Sequence, residues 1–312
     1  MNAIVKRWAL VFLLLHGFTP VAAETPPSQG RNLIEGIPVG LILENQQLPY
    51  LFWVALQTGR LHLLERTKTG SYLDRVSVPI SMGKQGFGKE FEGDLKTPVG
   101  VYQFTSFLKD DQLDDFYGIG AYPINYPNIW DRLSERSGHG IWLHGLPKGT
   151  EARPLLDSEG CVIIDNQTLE QFAPYIAAGE SLIVLAESLE WVAPGTKQPS
   201  ADILDALEDW KQDWQNNNNG EYFANYHPDF TDDKRNFSQW KTYKTRVNGS
   251  KSYIRVSLSK LSAIAYPGEE NLVAIRFYQH YKSNNFNWEG WKHLLWRRDE
   301  SGTWRILYEG NG

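Results

Sequence analysis

The chain of 312 residues contains a single cysteine, Cys161, set in the turn Ser158-Glu159-Gly160-Cys161 that leads into the apolar run Val162 to Ile164. Seventeen residues upstream, His144 closes the apolar run Ile141-Trp142-Leu143 and is followed at once by Gly145. A thiol needs a base close enough to take its proton, and imidazole is the side chain suited to that work near neutral pH. Cys161 and His144 are therefore a candidate nucleophile and base. The bland alternative is a buried structural cysteine, since free Cys is among the most buried residue types. Gly160 immediately before it, Ser158 nearby and the His-Gly pair upstream weigh toward the nucleophile. A zinc peptidase would need His/Asp/Glu ligands at helical or hairpin spacing. The seven histidines do not supply that pattern, so neither a metal nor a cofactor is expected.

Two strand ends joined by a loop can bring such a pair together, and the surrounding sequence reads as strands. Phe52 to Leu56 reaches Thr58-Gly59 and Arg60 to Thr67 returns, which predicts a tight hairpin; Val76 to Ser81 is a third strand. Residues 83–102 are Gly-rich, but no Gly-Lys-Ser/Thr follows and no helix opens there, so a phosphate loop is rejected. Pro98 and Gly100 read as a turn before a strand from Val101 to Thr105. Between Phe107 and Ser137 lies a polar and aromatic segment expected as a substrate wall or lid, with Tyr122, Tyr126 and Arg132 as candidate peptide ligands and ordinary packing as the alternative for each. His139 is read as starting the strand that His144 ends, which would turn the two rings to opposite faces. After Cys161, Asp165-Asn166 cap a helix bearing Leu169, Phe172, Ala173 and Ile176 that Gly179 ends, and Ser181 to Ala186 is a further strand. The patch Leu33 to Leu43 is not placed.

Taken together, His144-Gly145 and Ser158-x-Gly160-Cys161 resemble the catalytic motif of the L,D-transpeptidase (YkuD-type) family of bacterial cell-wall enzymes. Gly93-Asp94-Leu95-Lys96-Thr97-Pro98-Val99-Gly100 resembles a second signature of that family, and the resemblance covers about residues 50–187. It implies a β-rich sandwich in which Cys161 attacks an amide carbonyl of a peptidoglycan stem peptide and forms a thioester. His144 would be the base, oriented by the Gly145 carbonyl, with Ser158 supporting by hydrogen bonding. The backbone N–H groups of Gly160 and Cys161 would be the oxyanion donors. Two positions depart from the commonest motif. Glu159 stands where His is frequent, and Ile163 where an Arg often follows the cysteine. Arg153 and Arg132 are the nearest candidates to hold a substrate carboxylate in its place.

Lys6 and Arg7, the apolar run Ala9 to Phe18 and Val21-Ala22-Ala23 read as a secretory signal over residues 1–23, with an uncleaved anchor as the alternative. No stable membrane span is expected after cleavage. Export makes a lone thiol worth flagging as reactive, since it has no internal partner. The expected division then runs leader 24–49, catalytic domain 50–187, linker 188–200 and second domain 201–312. In the last, Ile203, Leu207, Trp210 and Trp214 form a helical stripe capped by Ser200; Tyr222, Phe223 and Tyr226 form a short helix, Ser238 to Val247 a third, and four strands follow. Helices followed by an antiparallel sheet imply an α+β cone, and the aromatic pattern resembles a nuclear-transport-factor-2-like domain. His280, Tyr281 or Trp296 would line the mouth of the cone unless they are core. A formal charge of −6 with no basic run excludes nucleic acid as an expected partner. The reading is an exported cysteine-dependent L,D-transpeptidase with a thiol of lowered pKa, acting on peptidoglycan stem peptides. An L,D-carboxypeptidase is the alternative, and a non-catalytic wall-binding module is the second alternative.

Overall fold

A computed structural model of the chain describes residues 34–42 and 48–312. The expected signal segment at residues 1–23 lies outside the described residues.

Alternation builds the first layer. In β2 (Tyr50–Ala55) Phe52 and Val54 face one core while Leu51 and Trp53 face another, and all four are buried. A strand covered on both faces reads as a continuous apolar run, as this one does. The Thr58-Gly59 turn, with Gly59 at φ +63°, returns the chain as β3 (Arg60–Arg66), which pairs with β4 (Tyr72–Pro79). The full sheet runs β13 (Trp191–Val192), β1 (Glu35–Pro38), β4, β3, β2, β12 (Leu182–Ala186), β6 (Gly100–Gln103). The patch left unplaced thus supplies β1, and two residues of the expected linker form β13 and pair with it.

A four-stranded sheet, β11 (Val162–Ile164), β9 (Trp142–Gly145), β8 (Gly120–Pro123) and β7 (Leu108–Lys109), packs on the first across one core. Phe52 meets Phe104 and Phe172 edge-on at 5.3 and 5.4 Å. Truncating such a ring to Ala costs about 3–5 kcal/mol. The segment 107–137 is therefore not a loose lid: it contributes β7, β8 and α1 (Ile129–Leu133), the last capped by Asn128 and Asp131. A short parallel pair, β5 (Met82–Gly83) with β10 (Leu156–Ser158), flanks Cys161. Helix α2 (Asn166–Phe172) begins one residue after its cap Asp165, which accepts from the Thr168 N–H at 2.8 Å.

The second domain is a five-stranded sheet in the order β14 (Tyr226–Thr231), β18 (Trp304–Asn311), β17 (Asn287–Arg298), β16 (Leu272–Ser283), β15 (Ile254–Ala265). Helices α3 (Ile203–Gln215), α4 (Asn219–Ala224) and α5 (Phe237–Gly249) cover it, and Trp210 and Trp296 are fully buried between the layers. The architecture is the expected pair, a β-rich sandwich followed by an α+β cone. Two local expectations fail. Asp202, not Ser200, precedes α3, and its carboxylate is taken by Arg298 and Trp304; Ser200 sits at φ +67°. Tyr226 opens β14 instead of closing a helix, because its hydroxyl is held by the buried Glu309 of β18 at 2.8 Å.

The two domains share backbone and charge. The Ile42 N–H donates to the Ala263 carbonyl and the Ala265 N–H to the Gly40 carbonyl, so the N-terminal segment runs along β15. Arg276 of β16 donates to the carbonyls of Glu180 and Gly179, in the turn that leads from α2 to β12, and stacks on Trp291 at 3.6 Å. Trp130 and Arg136 both donate to Glu269, at 2.9 and 3.1 Å.

Candidate active site

β11 and β9 run parallel and side by side, with Ile163 opposite His144 and Val162 opposite Leu143. Cys161 enters β11 one residue before that register. Because side chains alternate, Leu143 faces the core while Trp142 and His144 share the other face. Ala121 of β8 stands beside His144 on its far side. Tyr117 covers this face, its ring 4.8 Å from that of Trp142 and 5.1 Å from that of His144, and Phe116 lies 6.0 Å from His144. Sequence reasoning counted Tyr117 only among the aromatics of the 107–137 segment and did not name Phe116; a pair of rings in a 3₁₀ turn carries no periodic signal.

His144 is buried, and its Nδ1 lies 2.8 Å from the Gly145 carbonyl oxygen. A carbonyl accepts only, so Nδ1 carries the proton and Nε2 carries the lone pair. Nε2 has no hydrogen-bond partner among the described residues. Gly145 has no Cβ because none would fit: the Asn166 Oδ1 atom stands 2.0 Å from where one would lie. Asn166, for which capping was the simpler reading and a hydrogen bond near the site the alternative, takes the second role: it accepts from the Ile119 N–H at 3.1 Å and donates to the Leu146 carbonyl at 2.9 Å, tying β9 to the turn that holds Tyr117.

Ser158 accepts from the Gly160 N–H at 3.0 Å and donates to the Cys161 carbonyl at 2.7 Å. This corrects the oxyanion expectation in part, because the Gly160 N–H is already committed to Ser158. The Cys161 thiol lies half-buried and donates to the Gly140 carbonyl at 3.4 Å. Burial pushes it up to about 11, with Glu159 adding to the rise while the Trp142 N–H and Arg153 oppose it. Burial likewise pushes His144 down to about 4, against the pull of its bond to Gly145 and with Arg153 adding to the fall. The resting pair is thus neutral thiol and neutral imidazole, not the thiol of lowered pKa that the sequence suggested.

Arg153 sits close by. Its Nε donates to Asp157 at 2.8 Å, its guanidinium stacks over Phe116 at 5.2 Å, and its Nη1 is buried with no partner among the described residues. Ile163, where a cation was missed, is 1% exposed and bridges to Ser81, so no charge could be accommodated there.

The remaining expected ligands lie elsewhere. Tyr122 is a core residue packed on Phe104 and Phe107, and Tyr126 is a core residue whose hydroxyl donates to the Ser137 carbonyl at 2.9 Å. Arg132 turns toward the second domain, with Asp233 at 4.0 Å. His139 is not in β9 at all: Gly138 and Gly140 flank it at φ +106° and +73°, and its ring is exposed beside Glu92.

Residues 49–185 match the family described as the L,D-transpeptidase catalytic domain, YkuD. The chain carries an L,D-transpeptidase catalytic domain. Residues 202–310 match the Cds6 C-terminal NTF2-like domain. Among solved structures, Bd1075 of Bdellovibrio bacteriovorus superposes with a TM-score of 0.75 at 25% identity, covering 90% of this chain and 98% of that one. The helical cell shape determining protein Pgp2 of Campylobacter jejuni superposes with a TM-score of 0.65 at 27% identity, covering 89% of this chain and 93% of that one. No curated protein sequence matches.

Apart from the candidate site in the L,D-transpeptidase domain, the NTF2-like domain holds a cavity of about 460 Å³ between α5 and the sheet. Trp214, Trp240 and Tyr281 wall it, and Lys244 lies over Trp214 and Trp240 at 4.1 and 4.8 Å. Burial pulls Lys244 down to about 8, with Glu309 opposing. Of the three residues weighed between cavity lining and core, only Tyr281 lines it. Trp296 is core, and His280 is exposed beside Glu289. Among the described residues no cluster of ligands suits a metal ion, and no helix is long and apolar enough to cross a membrane.

Proposed function

We propose that the protein is an exported cysteine-dependent L,D-transpeptidase acting on peptidoglycan stem peptides through a Cys161 thioester. The observation that carries this reading is His144, held by Gly145 with its Nε2 unpartnered, on the strand beside Cys161 in a matched L,D-transpeptidase domain. The His144 Nε2 takes the thiol proton as the sulfur attacks the amide carbonyl, and returns it to the departing D-residue. A neutral pair suits this sequence, since the proton moves during attack and not before it. The unpartnered Nη1 of Arg153 supplies the cation for a stem-peptide carboxylate, the role that Ile163 leaves vacant.

The acceptor decides the second step. An amine of another stem peptide makes a cross-link, whereas water makes the protein an L,D-carboxypeptidase trimming tetrapeptides to tripeptides. Glu159 and Ile163, where the commonest motif has imidazole and guanidinium, favour keeping this second reading. Likeness to the cell-shape protein Pgp2 supports a role in shaping the wall. The cavity around Lys244 supports a substrate-positioning role for the NTF2-like domain. Residues 1–23 are read as the export signal, 50–187 as the catalytic unit and 201–312 as the second domain.

Incubating the purified protein with tetrapeptide muropeptides and weighing the products by mass spectrometry tests all of this. Cross-linked dimers establish transfer and tripeptides alone establish hydrolysis. No product removes the enzyme reading and leaves a wall-binding module, whereas full activity in Cys161→Ala removes the thioester.

A further inference from the structure

The turn that carries Cys161 is braced from outside by one side chain remote in sequence. Thr97 is fully buried; its hydroxyl accepts from the Gly83 N–H at 3.0 Å and donates to the Gly160 carbonyl at 3.0 Å. Its backbone is fixed as well, its N–H donating to Gly86 and its carbonyl accepting from Gly88. The loop that presents it is locked by Asp94, which takes hydrogen bonds from Lys89 Nζ and from the N–H groups of Glu90, Phe91 and Lys96.

The Gly160 carbonyl and the Cys161 N–H belong to one trans peptide unit, and in such a unit the two point in opposite directions. A carbonyl pinned toward Thr97 therefore aims the Cys161 N–H away from the loop. That N–H has no hydrogen-bond partner among the described residues. Ser158 meanwhile holds the two neighbouring peptide units by the Gly160 N–H and the Cys161 carbonyl. Of the two N–H groups in the turn, one is spent on Ser158 and the other is left open and fixed in direction.

We propose that Thr97 is the positioning residue of the oxyanion site, setting the Cys161 N–H to receive the carbonyl oxygen of the acyl donor through its bond to the Gly160 carbonyl. This rests on the Cys161 thioester reading above. As the sulfur bonds to the carbonyl carbon, the π pair moves onto oxygen and the Cys161 N–H donates to it. As that pair returns, the C–N bond breaks, and the amine leaves with the proton that His144 took from the thiol. A donor already aimed at the developing charge needs no reorganisation during the step.

Alkylation by iodoacetamide distinguishes this role from simple bracing, because displacement of iodide by sulfur creates no oxyanion. Thr97→Val keeps the volume and removes the hydroxyl; Thr97→Ser keeps the hydroxyl. We expect Thr97→Val to lower kcat for release of the terminal D-residue by about 10–100-fold, less than the roughly 100–1000-fold of a donor lost outright, because the Cys161 N–H is misaimed and not removed. KM and the alkylation rate of Cys161 should stay within about twofold, and Thr97→Ser should recover most of the rate. Unchanged turnover in Thr97→Val overturns the proposal, as does an equal fall in turnover and alkylation that Thr97→Ser fails to restore. Full turnover in Cys161→Ala would instead remove the thioester reading itself, and this proposal with it.

Discussion

His144 Nδ1 lies 2.8 Å from the carbonyl oxygen of its own neighbour Gly145, and that contact leaves Nε2 as the nitrogen able to take a proton. Burial holds the ring down to about 4 and the Cys161 thiol up to about 11, so between those limits both partners are uncharged. The acid limb of kcat/KM should therefore fall well below the ordinary histidine value of about 6.5, toward 4. Iodoacetamide should label Cys161 at pH 7 at least about tenfold more slowly than a free cysteine. A pH–rate profile and a labelling time course check both; an acid limb at 6.5 would count against the neutral pair.

The same shifts bear on stability, with the sign set by which state holds more protons. His144 and His293 are both pushed down to about 4 by burial, so the unfolded chain binds protons from about 6.5 downward while the native chain does not. Stability should fall as pH drops from 6.5 toward 4, by up to about 1.4 kcal/mol per pH unit for each ring. Cys161 acts at the other end: its raised thiol should cost stability as pH climbs above 9. Urea melts across pH 4 to 10 test both slopes.

Arg153 offers a buried Nη1 beside Phe116. Arg153→Ala should raise KM for a tetrapeptide stem by about tenfold or more, the loss of one charge-assisted contact. The difference between wild type and variant should vanish for a stem peptide whose carboxylates are amidated. Steady-state kinetics on the two substrates provide the comparison.

Lys89 and Asp94 form an ion pair at 2.7 Å with both side chains only 3% exposed. The Lys89 ammonium and three backbone N–H groups hold Asp94 down to about 2, in spite of desolvation. Asp94→Ala leaves a buried ammonium unpaired and should destabilise the protein by about 3–5 kcal/mol. Denaturant melts measure it, and a shift under 1 kcal/mol would show the pair to be solvated.

Arg276 joins the domains by two bonds to the carbonyls of Gly179 and Glu180 and by its stacking on Trp291. Arg276→Met should orphan those carbonyls, cost about 2–4 kcal/mol and widen the gap between the thermal transitions of the two domains. Calorimetry reads this directly.

Much of this was legible in the sequence, for local reasons. Cys161, Gly160, Ser158 and the His-Gly pair lie in two short segments, and strand alternation places Trp142 and His144 on one face without any tertiary knowledge. The aromatic candidates Tyr122 and Tyr126 failed because a buried ring and a ligand-lining ring look alike in sequence; only the alternation of β8 against β9 turns Tyr122 to the core beside Leu143. Arg132 and Tyr226 were misjudged because their partners, Asp233 and Glu309, lie 101 and 83 residues away in sequence. Thr97 was read as part of a turn, and its bond to Gly160 spans 63 residues. The lowered thiol pKa failed because burial, not the neighbouring imidazole, dominates at Cys161.

The strand β13 has a mechanical consequence. Trp191 and Val192 are stitched to Pro38 and Ile37, and Gln198 reaches back to the Pro38 carbonyl, so the chain leaves the first domain already clamped. Only residues 199–202 then separate Gln198 from α3. With so short a tether, the span from the Cys161 sulfur to the Lys244 cavity would vary little, and a strand of wall held at one end would be offered to the other at a fixed interval, as by a caliper.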